Sequence, residues 1–224
     1  MTKNFAKREP REYNFVRLIF QRFVVKFLFF PFFKIFYRLE VQGIKNIPRD
    51  KSFIVAANHL SNLDPPMIAT ALRKPVAYMA KKELFEVPVL SNIIDWLGAF
   101  SVNREKLEMS TIKTAKGVMS TNKWILAMFP QGSRDISGKI TKMTQGFAYL
   151  AKAANVEIVP VAIIGSDKTN FVPFKGKVTV KIGKPIPAPI NLEETMDGWA
   201  NSIAELTGFE YAKQNCVGFS QEKR

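Results

Sequence analysis

Residues 52–73 read SFIVAANHLSNLDPPMIATALR, and the reading of the fold starts from them. The apolar run SFIVAAN (52–58), entered from a Pro-Arg-Asp-Lys turn, has the length and texture of a buried strand. DPPMIATALR (64–73) reads as the start of a helix, with Asp64 as a candidate N-cap and two prolines in the first turn. A strand, a short polar loop and a helix in this order form the first half of a βαβ unit.

The same alternation continues downstream. VAYMA (76–80), AFSVN (99–103), WILAMF (124–129), VEIVPVAIIG (156–165) and KVTVKIG (177–183) read as strands. VPVLSNIIDWLG (87–98), residues 105–122, TQGFAYLAKAAN (144–155) and NLEETMDGWANSIAEL (191–206) read as helices, the last with Asn191 as a candidate cap. Strands alternating with helices predict an α/β fold with a single, mainly parallel sheet flanked by helices. The 224 residues fit one such domain plus a short appendage, with no internal repeat and no low-complexity linker.

The appendage lies upstream. Between Tyr13 and Tyr37 the chain reads YNFVRLIFQRFVVKFLFFPFFKIFY and holds nine of the 19 phenylalanines. Its longest uncharged run, FLFFPFF (27–33), is far short of the ~20 apolar residues that cross a bilayer. No small-residue cleavage site follows, which argues against a secretory signal. Pro31 predicts a break or kink. The pairs Arg22/Lys26 and Lys34/Arg38 are i,i+4 neighbours that can hold their charges at headgroup level. The expectation is therefore a membrane-binding segment, residues 1–40, of two interfacial helices joined near Pro31. Residues 41–224 form the α/β domain. A core helix pair is the plainer alternative.

The formal net charge is +14, and residues 1–40 alone carry nine Lys/Arg against three Glu, or +6. Such an excess attracts an anionic partner, be it nucleic acid, acidic lipid or a phosphorylated substrate. A nucleic-acid groove interleaves basic residues with aromatics. Here the aromatics are concentrated in one N-terminal segment, which points to anionic membrane lipids and away from nucleic acid. A single cysteine, Cys216, and a single histidine, His59, exclude a disulfide framework and a Cys- or His-based metal cluster.

In parallel α/β sheets, ligands bind outside the carboxyl ends of the strands. The loop after SFIVAA carries Asn58, His59 and Asp64. Five positions would separate His59 and Asp64 on a helix, but in a turn the aspartate can fold back onto the imidazole. A carboxylate accepting from Nδ1–H leaves Nε2 as a proton acceptor, the arrangement of a general base. A surface histidine beside a helix cap is the plainer reading, and the spacing alone does not decide between them. GAFSVNRE places Arg104 past one strand end, and FPQGSRD places Arg134 past another, with Gly132 freeing the backbone. Either arginine alone reads as an ordinary surface residue. Two beside one histidine suggest guanidinium forks gripping an anion.

Taken in order, these blocks resemble the glycerolipid acyltransferases typified by the 1-acyl-sn-glycerol-3-phosphate acyltransferases. The NHxxxxD block is Asn58, His59 and Asp64. The second block runs from Gly98 to Arg104. The third, usually FPEGTRS, is Phe129 to Asp135, and the fourth is Val159 to Ile163. The likeness spans about residues 40–190.

The resemblance implies direct acyl transfer without an acyl-enzyme, and no metal or bound cofactor. His59, oriented by Asp64, would deprotonate the free hydroxyl of lysophosphatidic acid for attack on acyl-CoA or an acyl carrier protein thioester. Arg104 and Arg134 would hold the acceptor phosphate, with Asn58, Gln131, Gly132 and Ser133 completing the acceptor-binding set. Apart from the resemblance, a glycine at position 132 would let backbone N–H groups approach a developing oxyanion. The interfacial segment leads to the expectation of a monotopic location on the cytoplasmic face of the membrane. Two positions depart from the family pattern, Gln131 where Glu is usual and Asn103 where an acidic residue is common. Glycerol 3-phosphate or another lysolipid is the nearest alternative acceptor. A non-catalytic anionic-surface binder is the alternative of a different class, and Gln131 also raises the possibility of an inactive family member.

Overall fold

The computed structural model describes residues 5–102, 108–167, 172–174 and 176–212. Nine strands are found in them: β1 Glu40–Gln42, β2 Ile54–Ala57, β3 Val76–Lys81, β4 Phe100–Val102, β5 Ile125–Met128, β6 Lys139–Ile140, β7 Ile158–Ile164, β8 Thr179–Ile182 and β9 Glu210–Tyr211. The helices are α1 Phe15–Val24, α2 Phe30–Phe36, α3 Asp64–Leu72, α4 Leu90–Trp96, α5 Met109–Ser120, α6 Gly146–Ala154 and α7 Leu192–Thr207.

Seven strands form one sheet in the order β1-β8-β7-β2-β5-β3-β4. Every pairing is parallel except β7 with β8. β2 lies in the middle, with Val55 level with Ala127 of β5 and Val159 of β7. All four β2 residues are buried, which is why the strand reads as a continuous apolar run and not as an alternation.

The two faces separate by the period of two along a strand. Ile54 and Ala56 join the core under α5, α6 and α7, around Trp124, Phe147 and Trp199. Phe53, Val55 and Ala57 join the opposite core, with Met67, Ile68 and Leu72 of α3 and Phe33 of α2. Helix α7 is capped as expected, the Asn191 side chain accepting from Glu193 N at 2.9 Å. Two features escape the sequence reading: the edge strand β1, and the two-stranded pairing of β6 with β9.

The N-terminal helix pair is present. Its joint is a π-helical segment, Val25–Phe29, directly before Pro31 in the first turn of α2. Proline supplies no N–H and crowds the carbonyl four residues back. Widening the turn accommodates it, and the Phe30 N–H reaches the Val25 carbonyl, five residues back.

One face of this segment is tied into the domain. Leu18 and Phe33 are buried, and the Gln21 amide pairs with both backbone groups of Val76, donating to O at 2.7 Å and accepting from N at 2.8 Å. Asp95 of α4 is fully buried and ion-paired with Arg8 and Arg17, the latter at 3.5 Å. The other face is bare: Phe15, Val16, Phe23, Phe27 and Leu28 are each at least 60% exposed. It continues onto α4, where Trp96 meets Phe20 edge-on at 5.6 Å and Ile93 is exposed. No helix among the described residues is long and apolar enough to cross a membrane.

Candidate active site

The chain leaves β2 at Ala57, and the next residue fixes the loop. Asn58 is buried and turns its amide onto β7, donating to Ile163 O at 2.9 Å and accepting from Ile163 N at 2.7 Å. Both ends of the amide are thus engaged with the backbone of the neighbouring strand, and Asn58 holds the loop in place.

His59 follows, largely buried, with Nδ1 at 2.8 Å from Oδ2 of Asp64. The fold-back expected of a turn is what occurs. Asp64 is not the cap itself but the first residue of α3, with Leu63 at the cap position. Its side chain points back into the loop, where Oδ2 also accepts from Leu60 N and Ser61 N, each at 2.7 Å. Oδ1 accepts from Ser166 Oγ at 2.7 Å. Asp64 is therefore committed to the histidine loop and leaves none of its oxygens for the first helical N–H groups. Tyr78 of β3 steadies the same helix start, donating to Pro65 O at 2.6 Å.

The imidazole is also held from its face. Phe129, just past β5, stacks on it with centroids 4.0 Å apart and planes 20° from parallel. Gln131 Oε1 accepts from the His59 backbone N–H at 3.3 Å, and Asp135 N donates to His59 O at 2.9 Å. The loop after β5 thus braces the loop after β2. With Nδ1–H directed at Asp64, Nε2 carries the available lone pair, and the ring cannot turn without breaking both the carboxylate bond and the stack.

The remaining expected residues fall as follows. Gly132 adopts φ +72°, which disfavours a side chain, and a Cβ there would meet nothing within 4 Å. Its own N–H donates to Phe129 O at 2.9 Å, so that donor closes the turn and is not aimed at open space for an oxyanion. Ser133 and Arg134 are exposed on the same loop. Among the described residues Arg134 makes no ion pair, and its neighbour Asp135 directs Oδ1 to Ser137 N at 2.9 Å. Arg104, with Asn103, lies outside the described residues. No group of three or more His, Cys, Asp or Glu among those residues could hold a metal ion.

Ser166 and Phe129 are the site residues the sequence reading passed over. Ser166 is 1% exposed and follows Gly165, φ +83°, at the end of β7. β7 is the immediate neighbour of β2, so the strand-end rule applied to it would have found this hydroxyl.

Residues 38–164 match the pattern of the Acyltransferase family. The chain belongs to the acyltransferase family. Over 142 residues it is 34% identical to the 1-acyl-sn-glycerol-3-phosphate acyltransferase of Streptococcus pneumoniae, a match covering 62% of this chain and 51% of that protein. Over 149 residues it is 29% identical to the protein of the same name from Bacillus subtilis, covering 66% and 73%. The crystal structure of the 1-acyl-sn-glycerophosphate (LPA) acyltransferase PlsC from Thermotoga maritima superposes with a TM-score of 0.67 at 25% identity, covering 85% of this chain and 78% of that one. The chain spans about half the length of the Streptococcus pneumoniae protein and of further curated relatives that it matches. The family match takes in the strands and loops that carry Asn58, His59, Asp64 and the Phe129–Asp135 turn.

Proposed function

We propose that this acyltransferase-family chain transfers a fatty acyl group from an acyl thioester to the free hydroxyl of lysophosphatidic acid, giving phosphatidic acid. The observation that carries the reading is the His59–Asp64 pair, buried, buttressed by Ser166 and stacked on Phe129 at the carboxyl ends of β2, β5 and β7. Relatives named 1-acyl-sn-glycerol-3-phosphate acyltransferases support this acceptor.

In the proposed reaction, Nε2 of His59 removes the proton of the acceptor hydroxyl as its oxygen attacks the thioester carbonyl carbon. Asp64, bound at Nδ1, stabilises the imidazolium that forms. The attack forms the ester C–O bond, and collapse of the tetrahedral species restores the carbonyl and breaks the C–S bond. The departing sulfur takes the proton back from Nε2, so the imidazole ends neutral and the products are an ester and a thiol. Arg134, free in solvent on the Phe129–Asp135 loop, and Arg104 are the proposed partners of the acceptor phosphate, with guanidinium forks matched to its oxygens. Gln131 positions the His59 backbone.

The acceptor is an amphiphile, and the exposed phenylalanine face of the 1–40 segment is the proposed site of contact with the bilayer. Phe15, Phe23 and Phe27 enter the interface while Arg22, Lys26, Lys34 and Arg38 remain among the headgroups. A monotopic attachment follows from this reading, and the cytoplasmic face is the one proposed for it.

The test is to incubate the full chain with 1-acyl-sn-glycerol 3-phosphate and either acyl-CoA or an acyl carrier protein thioester, following phosphatidic acid and free thiol together. Equimolar appearance of both is expected, and His59→Ala should abolish it. Absence of product with both donors, or a His59→Ala rate above about a third of the parent's, against the ~10²–10⁴-fold that a general base contributes, would overturn the proposal.

A further inference from the structure

Between the helix pair and the C-terminal end of α3 lies a cavity of about 490 Å³. Arg22, Lys26, Arg73 and Lys74 line it together with apolar and neutral residues, and among the described residues no acidic one does. The cations come from two elements. Arg22 and Lys26 stand on α1 and the π-helical segment, while Arg73 and Lys74 follow α3. The walls are aromatic: the Arg73 guanidinium lies 5.7 Å from the centroid of Phe30, and the Lys26 ammonium 5.2 Å from that of Phe27. The cavity therefore adjoins the exposed phenylalanines of the helix pair. It is not part of the catalytic site. The Asp64 and Arg73 ends of α3 are separated by about 13 Å at ~1.5 Å per helical residue.

Arg22, Lys26 and Arg73 are exposed, whereas Lys74 is half-buried and donates from Nζ to Arg49 O at 2.6 Å. Burial, aided by Arg22 and opposed by Asp50, holds the Lys74 ammonium below its ordinary range. The C-terminal carbonyls of α3 supply roughly half a negative charge nearby, against four positive side chains. Arg73 moreover sits at φ +53°, in the left-handed position that ends a helix and favours glycine. The chain thus keeps a long cationic side chain where the backbone would be more relaxed without one.

We propose that this cavity binds the phosphate of an anionic phospholipid belonging to the leaflet on which the helix pair rests, a second lipid site separate from the one at His59. The proposal rests on the membrane-surface reading above. Charge complementarity favours the occupant: a headgroup phosphate offers acceptor oxygens to two guanidinium forks. The apolar surround of Phe27 and Phe30 suits the attached glycerol and acyl chains, which a free phosphate lacks.

The experiment measures sedimentation of the full chain with vesicles of phosphatidylcholine alone and of phosphatidylcholine mixed with phosphatidylglycerol. The parent should bind both and prefer the second. R73Q/K74Q should keep the binding to phosphatidylcholine but lose ~10-fold or more of the affinity for the anionic vesicles, since each basic residue near such a surface contributes about fivefold. The charge-matched pair K116Q/K123Q, on and just beyond α5, should change little. Arg73→Gly guards against misfolding, because it relaxes the backbone while removing the guanidinium. It should melt no lower than the parent and still lose anionic preference. Equal losses in the two double variants would mean general charge attraction and would overturn the site. So would displacement from the anionic vesicles by soluble glycerol phosphate, which would assign the cavity to a free phosphate. Binding to phosphatidylcholine without anionic preference rejects the site alone, whereas binding to neither vesicle rejects the membrane reading as well.

Discussion

Replacing Ser166 by alanine removes one hydrogen bond and nothing else that the geometry assigns to the site. Ser166 Oγ donates at 2.7 Å to Oδ1 of Asp64, a carboxylate with no exposed surface. Oδ2 keeps its bonds from His59, Leu60 and Ser61, so the loop should persist while Oδ1 is left short of a partner in a place water does not easily reach. A hydrogen bond to a charged group contributes about 1.5–3 kcal/mol, and a buried acceptor left unsatisfied costs a similar amount. For a chain of this size, each kcal/mol lowers the melting temperature by ~2–4 °C. If most of the loss also appears in the transition state, where Asp64 must hold an imidazolium in line, kcat falls ~10–100-fold at 1.4 kcal/mol per decade. The KM for the acceptor should stay within about twofold, because no substrate-contacting group has changed. The assay is steady-state phosphatidic acid formation, with melting followed by circular dichroism. A variant that melts lower yet turns over at the parent rate would show that the Ser166–Asp64 bond serves stability only, and the proposed role of Asp64 in orienting His59 would lose its support.

Gln131→Glu should change the rate less than about threefold, since a carboxylate oxygen accepts from the His59 N–H as the amide oxygen does; a hundredfold gain would mark the native chain as a crippled enzyme. Arg134→Lys should raise the acceptor KM with kcat little changed, because an ammonium cannot supply the bidentate fork, and equal use of dephosphorylated monoacylglycerol would refute the phosphate assignment. Deleting residues 1–38 removes Arg8 and Arg17 from the buried Asp95, and breaking such buried pairs costs about 3–5 kcal/mol. The truncated domain should melt well below the full chain, and Asp95→Asn should recover part of the loss. Burial raises the Glu12 pKa, but its hydrogen bonds with the Glu9 backbone and with Arg8 outweigh burial and leave the carboxyl below its ordinary 4.5. A depressed folded value stabilises above the unfolded one and is lost as pH falls through it, so Glu12→Gln should flatten the acid limb of melting temperature against pH.

The strands and helices of the sheet were readable because their signals are local. VEIVPVAIIG needs no partner to read as a buried strand, and Asn191 is followed by the acidic first turn that a cap prefers. The His59–Asp64 pair was readable because a five-residue loop confines both groups. Ser166 lies past a strand end that the same rule could have singled out, but its bond to Asp64, 102 positions away, becomes visible only once β7 is known to pair with β2. The Asn58 amide was assigned to the acceptor through the family resemblance and not from any local signal of its own. Its actual partner, Ile163, is equally remote in sequence. β1 escaped for a different reason: Glu40, Val41 and Gln42 carry too little apolar character to announce an edge strand whose other side faces solvent.

The widened turn before Pro31 also sets the rotational phase of everything after it. Gln21 and Phe33 both face inward, 12 positions apart. At ~100° per residue, an unbroken α-helix would leave them about 120° out of register. One extra residue accommodated in the wide turn takes back about 100°, returning Phe33 to the side that Gln21 occupies. The stretch therefore behaves as an eleven-residue, three-turn spacing with one supernumerary member. Removing a single residue within Val25–Leu28 should straighten the rod without rotating either end, provided Pro31 is replaced at the same time. Removing one from α1 between Gln21 and Val24 should instead turn the phenylalanine side of α2 toward the sheet and Phe33 toward solvent. The proline and the additional residue are thus a matched pair, and neither can change alone without disturbing which side of the rod is wet.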